Sequence, residues 1–491
     1  MQKKATIIGA GISGLSAASF LAKDGWEVSI LEKNATIGGR ARQFSAEGFV
    51  FDMGPSWYWM PDVFEQFYQK FNHTAADFYE LKRLDPSYRV YWQDGTHSDI
   101  PASMEALEEM FESFEPGSAV QLKKFLKDAK YKYQVGMQDL VYKPSLKFTE
   151  FMDFRLLKGL FSMDLTNSFS SYISRFFSHQ KLKSLLEFPV LFLGAMPKDT
   201  PALYSLMNYA DMELGTWYPM GGMYKFIEAF EKIALEQGVT IKTDAEIRTL
   251  EKKQGKVVSL TDLHGQKYNP DVVVSSADYQ HTDKALLNGS SNYTDAYWDK
   301  RVMAPSALLF YVGINKRVEN LRHHNLFFDE SLEEHGREIY KNPQWPTAPL
   351  FYLSAPSLTD PSVAPEGCEN LFFLIPIAPN LQDDEATRER YFEVLLERLK
   401  KLTGNDIKDH IVYKRSFSIS NFKEDYHAFK GNAYGLANTL RQTAIFKPQI
   451  TNKHLSNFYY TGQLTVPGPG VPPSIISGEV VAKYIHKTYR K

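Results

Sequence analysis

The chain has 491 residues, 43% of them hydrophobic and 23% charged, which excludes collagenous, disordered and disulfide-scaffold classes and suggests two or three domains. Its 56 Lys and Arg against 58 Asp and Glu leave a net charge of −2, so no global field recruits nucleic acid. The single cysteine, Cys368, closes no intrachain disulfide and builds no cysteine zinc cage, which points to a reducing compartment.

The opening residues, MQKKATIIGAG, hold too short an apolar run for an export signal. The apolar stretch Leu371 to Ala378 falls far short of the roughly 18 residues that span a bilayer. Lys4 to Ile8 reads as a buried strand, GAGISG as a turn, and Leu15 to Lys23 as a helix that packs through Leu15, Ala18, Leu21 and Ala22. Val28 to Glu32 supplies the next strand. This strand, turn, helix and strand form the unit of a parallel sheet with right-handed crossover.

Further on, the charge changes sign. From Asp85 to Glu115 acidic residues outnumber basic ones eight to one, whereas Gln121 to Lys183 holds twelve Lys or Arg against five Asp or Glu. The second stretch is interleaved with Phe148, Phe151, Phe154, Phe161, Phe169, Tyr172, Phe176 and Phe177. It reads as a helical insertion suited to a membrane surface. A helix over Met223 to Gln237 and a strand over Thr240 to Thr243 follow, then a hairpin with turns at Gln254-Gly255 and His264-Gly265. Asp271 to Ala277 is a buried strand and Glu385 to Leu402 a helix. Phe458 to Thr461 is the last strand, and a Gly-Pro loop leads to a helix over Ser474 to Lys487.

Gly9, Gly11 and Gly14 sit between the first strand and helix, and Glu32 closes the second strand. Gly9 permits the tight turn, Gly11 lets backbone approach a pyrophosphate, and Gly14 lets the helix lie close to the sheet. Glu32 is placed to accept hydrogen bonds from an adenosine ribose, and its charge disfavours a phosphorylated one. A helix N-terminus stabilises nearby negative charge by roughly 0.3–1 kcal/mol. Pro472 and Pro473 stop the preceding chain, and Ser474 is predicted to cap the last helix.

Gly38, Gly39 and Arg40, the run GFVFDMGPSW containing Gly54, Pro55 and Ser56, and the C-terminal TGQLTVPGPGVPPSIISG together resemble the FAD-dependent amine oxidase and carotenoid desaturase superfamily. The resemblance is closest to bacterial phytoene desaturases; it is strong at both ends and only a pattern in the middle. It implies an α/β fold: a discontinuous Rossmann-like FAD domain (1–84, 215–285 and 455–491), and a mixed-sheet substrate domain (86–214 and 286–454) that includes the helical insertion near 121–183. Arg40 would lie along the FAD pyrophosphate, Gly54 to Ser56 near the isoalloxazine, and the Gly462 to Ser474 loop, with Val471, under the ring. The backbone at Ile247 would meet adenine, and Ser275 to Asp278 would end a strand near the same nucleotide. Many relatives carry an acid after the late glycine where this chain has Gln463, so an amide or backbone contact replaces it.

Trp57, Tyr58, Trp59 and Met60 follow the flavin-proximal run as candidate tunnel walls, with core packing the more common role for any one of them. No HExxH, facial carboxylate pattern or GxSxG is present, so neither a metal nor a nucleophile is expected, and no residue is named as catalytic. The resemblance implies a carotenoid desaturase converting phytoene stepwise toward lycopene, with a long apolar substrate and a quinone or dioxygen as electron acceptor. It further implies a cytoplasmic protein held peripherally at the inner membrane face. Another carotenoid desaturase or isomerase, a flavin amine oxidase and a non-enzymatic lipid or prenyl-protein binder share the scaffold.

Overall fold

The computed structural model describes residues 2–151 and 167–490. A five-stranded parallel sheet runs in the order Phe458–Tyr460, Val272–Ser275, Lys4–Ile8, Glu27–Leu31, Thr240–Lys242. Its strands come from three distant stretches of chain, and alternation along each sends side chains to two cores. Ile7, Ile30, Val272 and Val274 face the core shared with the first helix, Ile12–Lys23, and with Tyr224–Glu236 and Val471–Tyr489. Ile8, Leu31, Val273 and Phe458 pack instead with Ile247, Val257 and Leu260, which belong to the antiparallel strands Ile247–Lys253 and Lys256–Asp262. These strands turn at Gln254-Gly255, as the hairpin signal predicts.

First and last helices cross at a glycine. A Cβ on Gly478 would lie 2.5 Å from the carbonyl oxygen of Ser13, so only glycine admits this approach, and the Ser16 hydroxyl donates to the Ile475 carbonyl at 2.7 Å nearby. Both helices thereby hold their N-terminal ends at one side of the sheet.

The second sheet has seven strands, in the order Ile411–Phe417, Ser306–Ile314, Glu369–Ile377, Phe351–Ser354, His324–Phe328, Tyr88–Trp92, His97–Ile100. It is mixed, because His324–Phe328 runs parallel to Tyr88–Trp92 while the other neighbours are antiparallel. Leu308, Phe310, Val312 and Phe373 bury one face against the helix Glu385–Thr403 through Phe392, Leu395 and Leu399. The opposite face, with Leu309, Tyr311, Tyr352 and Phe372, joins the core of the parallel sheet. Two hydrogen bonds tie the seven-stranded sheet to the separate hairpin of Gln43–Ala46 and Phe49–Asp52: Tyr311 hydroxyl to the carbonyl of Met53, just after it, at 2.7 Å, and Asn370 Nδ2 to the Val50 carbonyl at 2.8 Å.

The basic stretch contributes the helices Ser118–Val135, Phe169–Ile173 and Gln180–Glu187. Most of its described aromatics face inward, Tyr131 being exposed. Phe169, Tyr172 and Phe177 are buried, and Phe125 lies 5.6 Å from Phe176 and 5.8 Å from Tyr172. These rings form the interior of the helical region rather than a lipid-facing surface, because their spacing follows the packing of short helices and not one stripe. Phe154 and Phe161, and the side chains of Phe148 and Phe151, lie outside the described residues. Among the described residues no helix is long and apolar enough to cross a membrane.

Candidate active site

The glycine turn sits at the carboxyl end of the central strand, where ligands of open parallel sheets bind. Gly9 has φ +98°, a conformation open chiefly to glycine, and its N–H donates to the Leu31 carbonyl at 2.8 Å. A Cβ on Gly14 would come 2.2 Å from the Gly9 carbonyl oxygen, whereas one on Gly11 would meet nothing nearer than Ser276 Oγ at 3.7 Å. Gly14 is therefore required by packing, and Gly11 leaves an open face. Gly11 is the N-cap of the first helix and supplies no side-chain cap, so the N–H groups of the first turn are left for an anion. Gly39, at φ +57°, stacks on this turn: its Cβ would stand 3.3 Å from the Gly11 Cα.

Glu32 is buried, and its carboxylate organises the turn from behind. Oε2 accepts the Ala10 N–H at 2.7 Å, and Oε1 accepts the Asn34 N–H at 2.8 Å and Asn34 Nδ2 at 3.0 Å. A carboxylate offers about four acceptor positions. The one left, on Oε2, matches a ribose hydroxyl.

Arg40 is enclosed beside Tyr426, its guanidinium 5.0 Å from the ring centre. Nη2 donates to the Asn432 carbonyl at 3.4 Å, and Nε is buried with no partner among the described residues. Burial pulls its pKa down, with the Asp278 charge acting against that. No carboxylate pairs with it within 4.0 Å among the described residues. An under-partnered guanidinium next to an open glycine turn suits a bidentate phosphate ligand.

Gly54 is required by packing: its Cβ would lie 2.4 Å from the Arg40 carbonyl oxygen. The late glycine, Gly462 at φ +109°, approaches Ser13, whose hydroxyl is 2.9 Å from that of Ser276. Gln463 Nε2 donates to Asn432 Oδ1 at 3.1 Å, and Asn432 Oδ1 also accepts the Gly435 N–H at 2.7 Å. Gln463 thus joins Arg40 through Asn432. Ile247 opens its strand as a buried residue, in register with Asp262, and Ala245 just before it donates to the Glu32 carbonyl at 2.8 Å.

The expected cap at Ser474 is corrected. The last helix begins at Val471, with Gly470 as N-cap at φ +113°, and the Ser474 N–H already donates to the Gly470 carbonyl at 3.0 Å. Pro472 and Pro473 lie inside the first turn, where their fixed φ suits the helix. They also remove two of its N–H groups, so this helix end is a weaker anion site than a serine cap predicts.

Beyond Ser56 the chain enters an aromatic cluster. Tyr58, Trp59 and Met60 are buried; Tyr58 stacks on Phe64 at 4.2 Å, and its hydroxyl meets that of Tyr79 at 2.8 Å. Trp57 stacks on His324 at 4.1 Å and lies 5.4 Å from Tyr88 and 5.6 Å from Phe188. His324 Nδ1 is 2.6 Å from the Tyr352 hydroxyl, and its Nε2 has no partner among the described residues. Burial holds His324 well below the usual imidazole range, hence neutral. Behind the cluster, Trp59 Nε1 donates to Thr216 Oγ1 at 2.8 Å and Tyr88 donates to Asp211 at 2.7 Å. Burial pushes the Asp211 carboxyl up to about 7.

The family model for flavin-containing amine oxidoreductases matches residues 12–486. The chain belongs to this family. Within it, the chain falls among the carotenoid desaturases: it is 41% identical to a carotenoid 3,4-desaturase of Haloarcula japonica, over 97% of both chains. It is 30% identical to a 4,4'-diapophytoene desaturase of Staphylococcus aureus over 97% of both chains. It is also 28% identical to a zeta-carotene-forming phytoene desaturase of Myxococcus xanthus, over 98% of this chain and 93% of that one. The fold is similar to an oxidoreductase from Methanosarcina mazei, with TM-score 0.64 at 16% identity over 98% of this chain and 100% of the other. Putrescine oxidase shares it too, with TM-score 0.64 at 13% identity over 99% of both chains.

As a member of this family the protein is an FAD-dependent oxidoreductase, and its residues fit the cofactor: the open face of Gly11 and the unpartnered Nε of Arg40 match the pyrophosphate, and the free acceptor on Glu32 matches the ribose. Sequence reasoning missed Asn432, Gly435 and His324. Asn432 and Gly435 stand in an irregular segment with no motif, and His324 belongs to no metal-ligand pattern. Ser276 carried a legible signal: it follows a buried parallel strand, whose carboxyl end faces the site.

Proposed function

We propose that the enzyme desaturates a long apolar carotenoid, and that the substrate is phytoene, converted stepwise toward lycopene. The observation that carries the carotenoid reading is the identity to three desaturases across nearly the whole chain. The phytoene assignment rests on the FDMGPSWYWMP run from Phe51 to Pro61 and on the loop before the last helix. A second reading, desaturation near the end of a carotene that is already conjugated, is favoured by the 41% identity to the Haloarcula 3,4-desaturase.

FAD, held by Gly11, Glu32 and Arg40, would supply the acceptor for a hydride from an allylic carbon, and a proton from the neighbouring carbon would pass to water, so each new double bond would release one hydride and one proton. The growing polyene delocalises the positive charge, and no strong protein base is needed. The chain's own part is to orient the bond. Trp57, held flat by His324 and flanked by Tyr88 and Phe188, offers a rigid apolar wall next to Ser56. Such positioning contributes several kcal/mol. A quinone or dioxygen would take up the electrons. The protein works at the cytoplasmic face of the membrane, bound peripherally, a placement supported by the positive excess of Gln121 to Lys183.

Anaerobic addition of phytoene, lycopene or a small amine to the flavoprotein separates the readings. Bleaching of the flavin band by phytoene, with gain of polyene absorbance, is the expected result; bleaching by lycopene alone selects the second reading, and bleaching by the amine alone overturns both. Flotation with anionic vesicles tests the location, and equal recovery in the soluble fraction with and without vesicles counts against it.

A further inference from the structure

Two buried polar atoms on one irregular segment converge on Gly468, and neither is satisfied. Lys447 Nζ and Asn438 Oδ1 are sealed from solvent without a hydrogen-bond partner among the described residues. A Cβ on Gly468, at φ +139°, would lie 3.3 Å from each of them. One atom is a cationic donor and the other a neutral acceptor. Leaving an ammonium so placed is costly, and burial alone pulls the Lys447 pKa down to about 7.

The segment that carries the pair is braced. Gln442 accepts the Val302 N–H at 3.0 Å through Oε1, and donates through Nε2 to the carbonyls of Val302 at 2.8 Å and Ala437 at 3.1 Å. Thr443 Oγ1 donates to the Thr439 carbonyl at 2.7 Å. The donor and acceptor are thus held in place by neighbours that gain nothing from them. An unsatisfied pair on a rigid support is the arrangement of a binding site that its ligand completes.

Its position in the loop indicates which ligand. Gly462, six residues earlier, packs against Ser13 at the glycine turn, the nucleotide end of the site. Gly468 stands further along the same loop, immediately before the helix that starts at Val471. The pyrimidine edge of a flavin presents carbonyl, imide N–H and carbonyl in a row, which a cationic donor beside an acceptor matches. A hydride accepted by the flavin would bring two electrons and one proton, and the added negative charge would fall on this edge.

We propose that Lys447 and Asn438 seat the pyrimidine edge of FAD, the ammonium facing a ring carbonyl and the amide oxygen accepting the imide N–H, so that Lys447 favours the reduced cofactor. The proposal rests on the reading that the Gly462 to Ser474 loop underlies the ring. It predicts which residues tune the cofactor, and it is independent of which carotene is consumed.

The test uses the purified flavoprotein without any carotenoid, so a wrong substrate assignment does not affect it. Lys447→Met, Lys447→Arg and Asn438→Asp are compared with the parent for FAD stoichiometry, midpoint potential and affinity for sulfite, whose addition to oxidised flavin reports positive charge near this edge. Lys447→Met should keep FAD while shifting the reduction equilibrium by about tenfold, about 30 mV for a two-electron couple, toward the oxidised form. Its sulfite affinity should fall in parallel, and Lys447→Arg should recover most of both. Asn438→Asp, which sets a carboxylate beside the same edge, should shift both readouts in the same direction, and it decides the matter if Lys447→Met fails to hold FAD. Parental potential and sulfite affinity in a flavin-loaded Lys447→Met, or in Asn438→Asp when the first variant is empty, overturn the proposal.

Discussion

The Glu32 carboxylate accepts the backbone N–H of Ala10 at 2.7 Å, so the residue expected to hold the cofactor's ribose also holds the turn that receives its phosphates. Binding and local folding share one side chain.

Glu32→Ala should therefore act twice. Losing charge-assisted hydrogen bonds costs roughly 1.5–3 kcal/mol, lowering the unfolding midpoint of the apoprotein and weakening FAD binding about 10- to 150-fold. Glu32→Gln should rescue little, since its amide would turn a donor toward the N–H of either Ala10 or Asn34. Urea unfolding of the apoprotein and flavin titration check both; an apoprotein of parental stability would contradict the shared role.

Gly11 and Gly54 should separate cleanly. Gly11 has φ −73° and open space where a Cβ would go, so Gly11→Ala should leave the apoprotein stable while obstructing the pyrophosphate. Gly54→Ala drives a methyl into the Arg40 carbonyl, 2.4 Å away, and should cost about 1–3 kcal/mol of stability as well as FAD. Thermal unfolding of both apoproteins, with FAD occupancy measured on the same samples, distinguishes them.

Arg40→Met should weaken FAD binding by at least about tenfold, the effect of removing a charged phosphate contact, with little loss of apoprotein stability. The reason is that, among the described residues, the arginine makes only a 3.4 Å hydrogen bond to Asn432 and a stacking contact with Tyr426. A variant that unfolds readily yet binds FAD with parental affinity would reverse this assignment. Isothermal titration with FAD and calorimetric unfolding supply the two numbers.

Asp211 makes stability depend on pH. Its carboxyl is raised from 3.8 to about 7 by burial, so the folded state binds a proton that the unfolded state has released. The stabilisation it brings is full below about pH 3.8 and is lost as pH rises through about 7. Asp211→Asn keeps an acceptor for the Tyr88 hydroxyl and cannot ionise. Between pH 4 and 8 the parent should lose roughly 3–4 kcal/mol relative to this variant. Denaturant unfolding across that range measures the difference, and parallel curves would show that Asp211 stays charged in the fold.

What the sequence determined by itself was local. The first strand, glycine turn, helix and second strand lie within about thirty residues, and each step follows from spacing: alternation for the strands, helical periodicity for Leu15, Ala18 and Leu21, and glycines where backbone must turn or approach. The same logic located the hairpin at Gln254-Gly255 and the helix from Glu385. It misplaced the start of the last helix, because Pro-Pro reads equally as a stop or as a first turn, and the φ of +113° at Gly470 that decides between them is set by the packing around it. The tertiary structure alone brought Arg40 to Asn432, Trp57 to His324, and Lys447 and Asn438 to Gly468. Periodicity encodes which face of a segment is buried, whereas which buried faces meet depends on strand order and on how distant segments close over one another. The site is made where those segments meet.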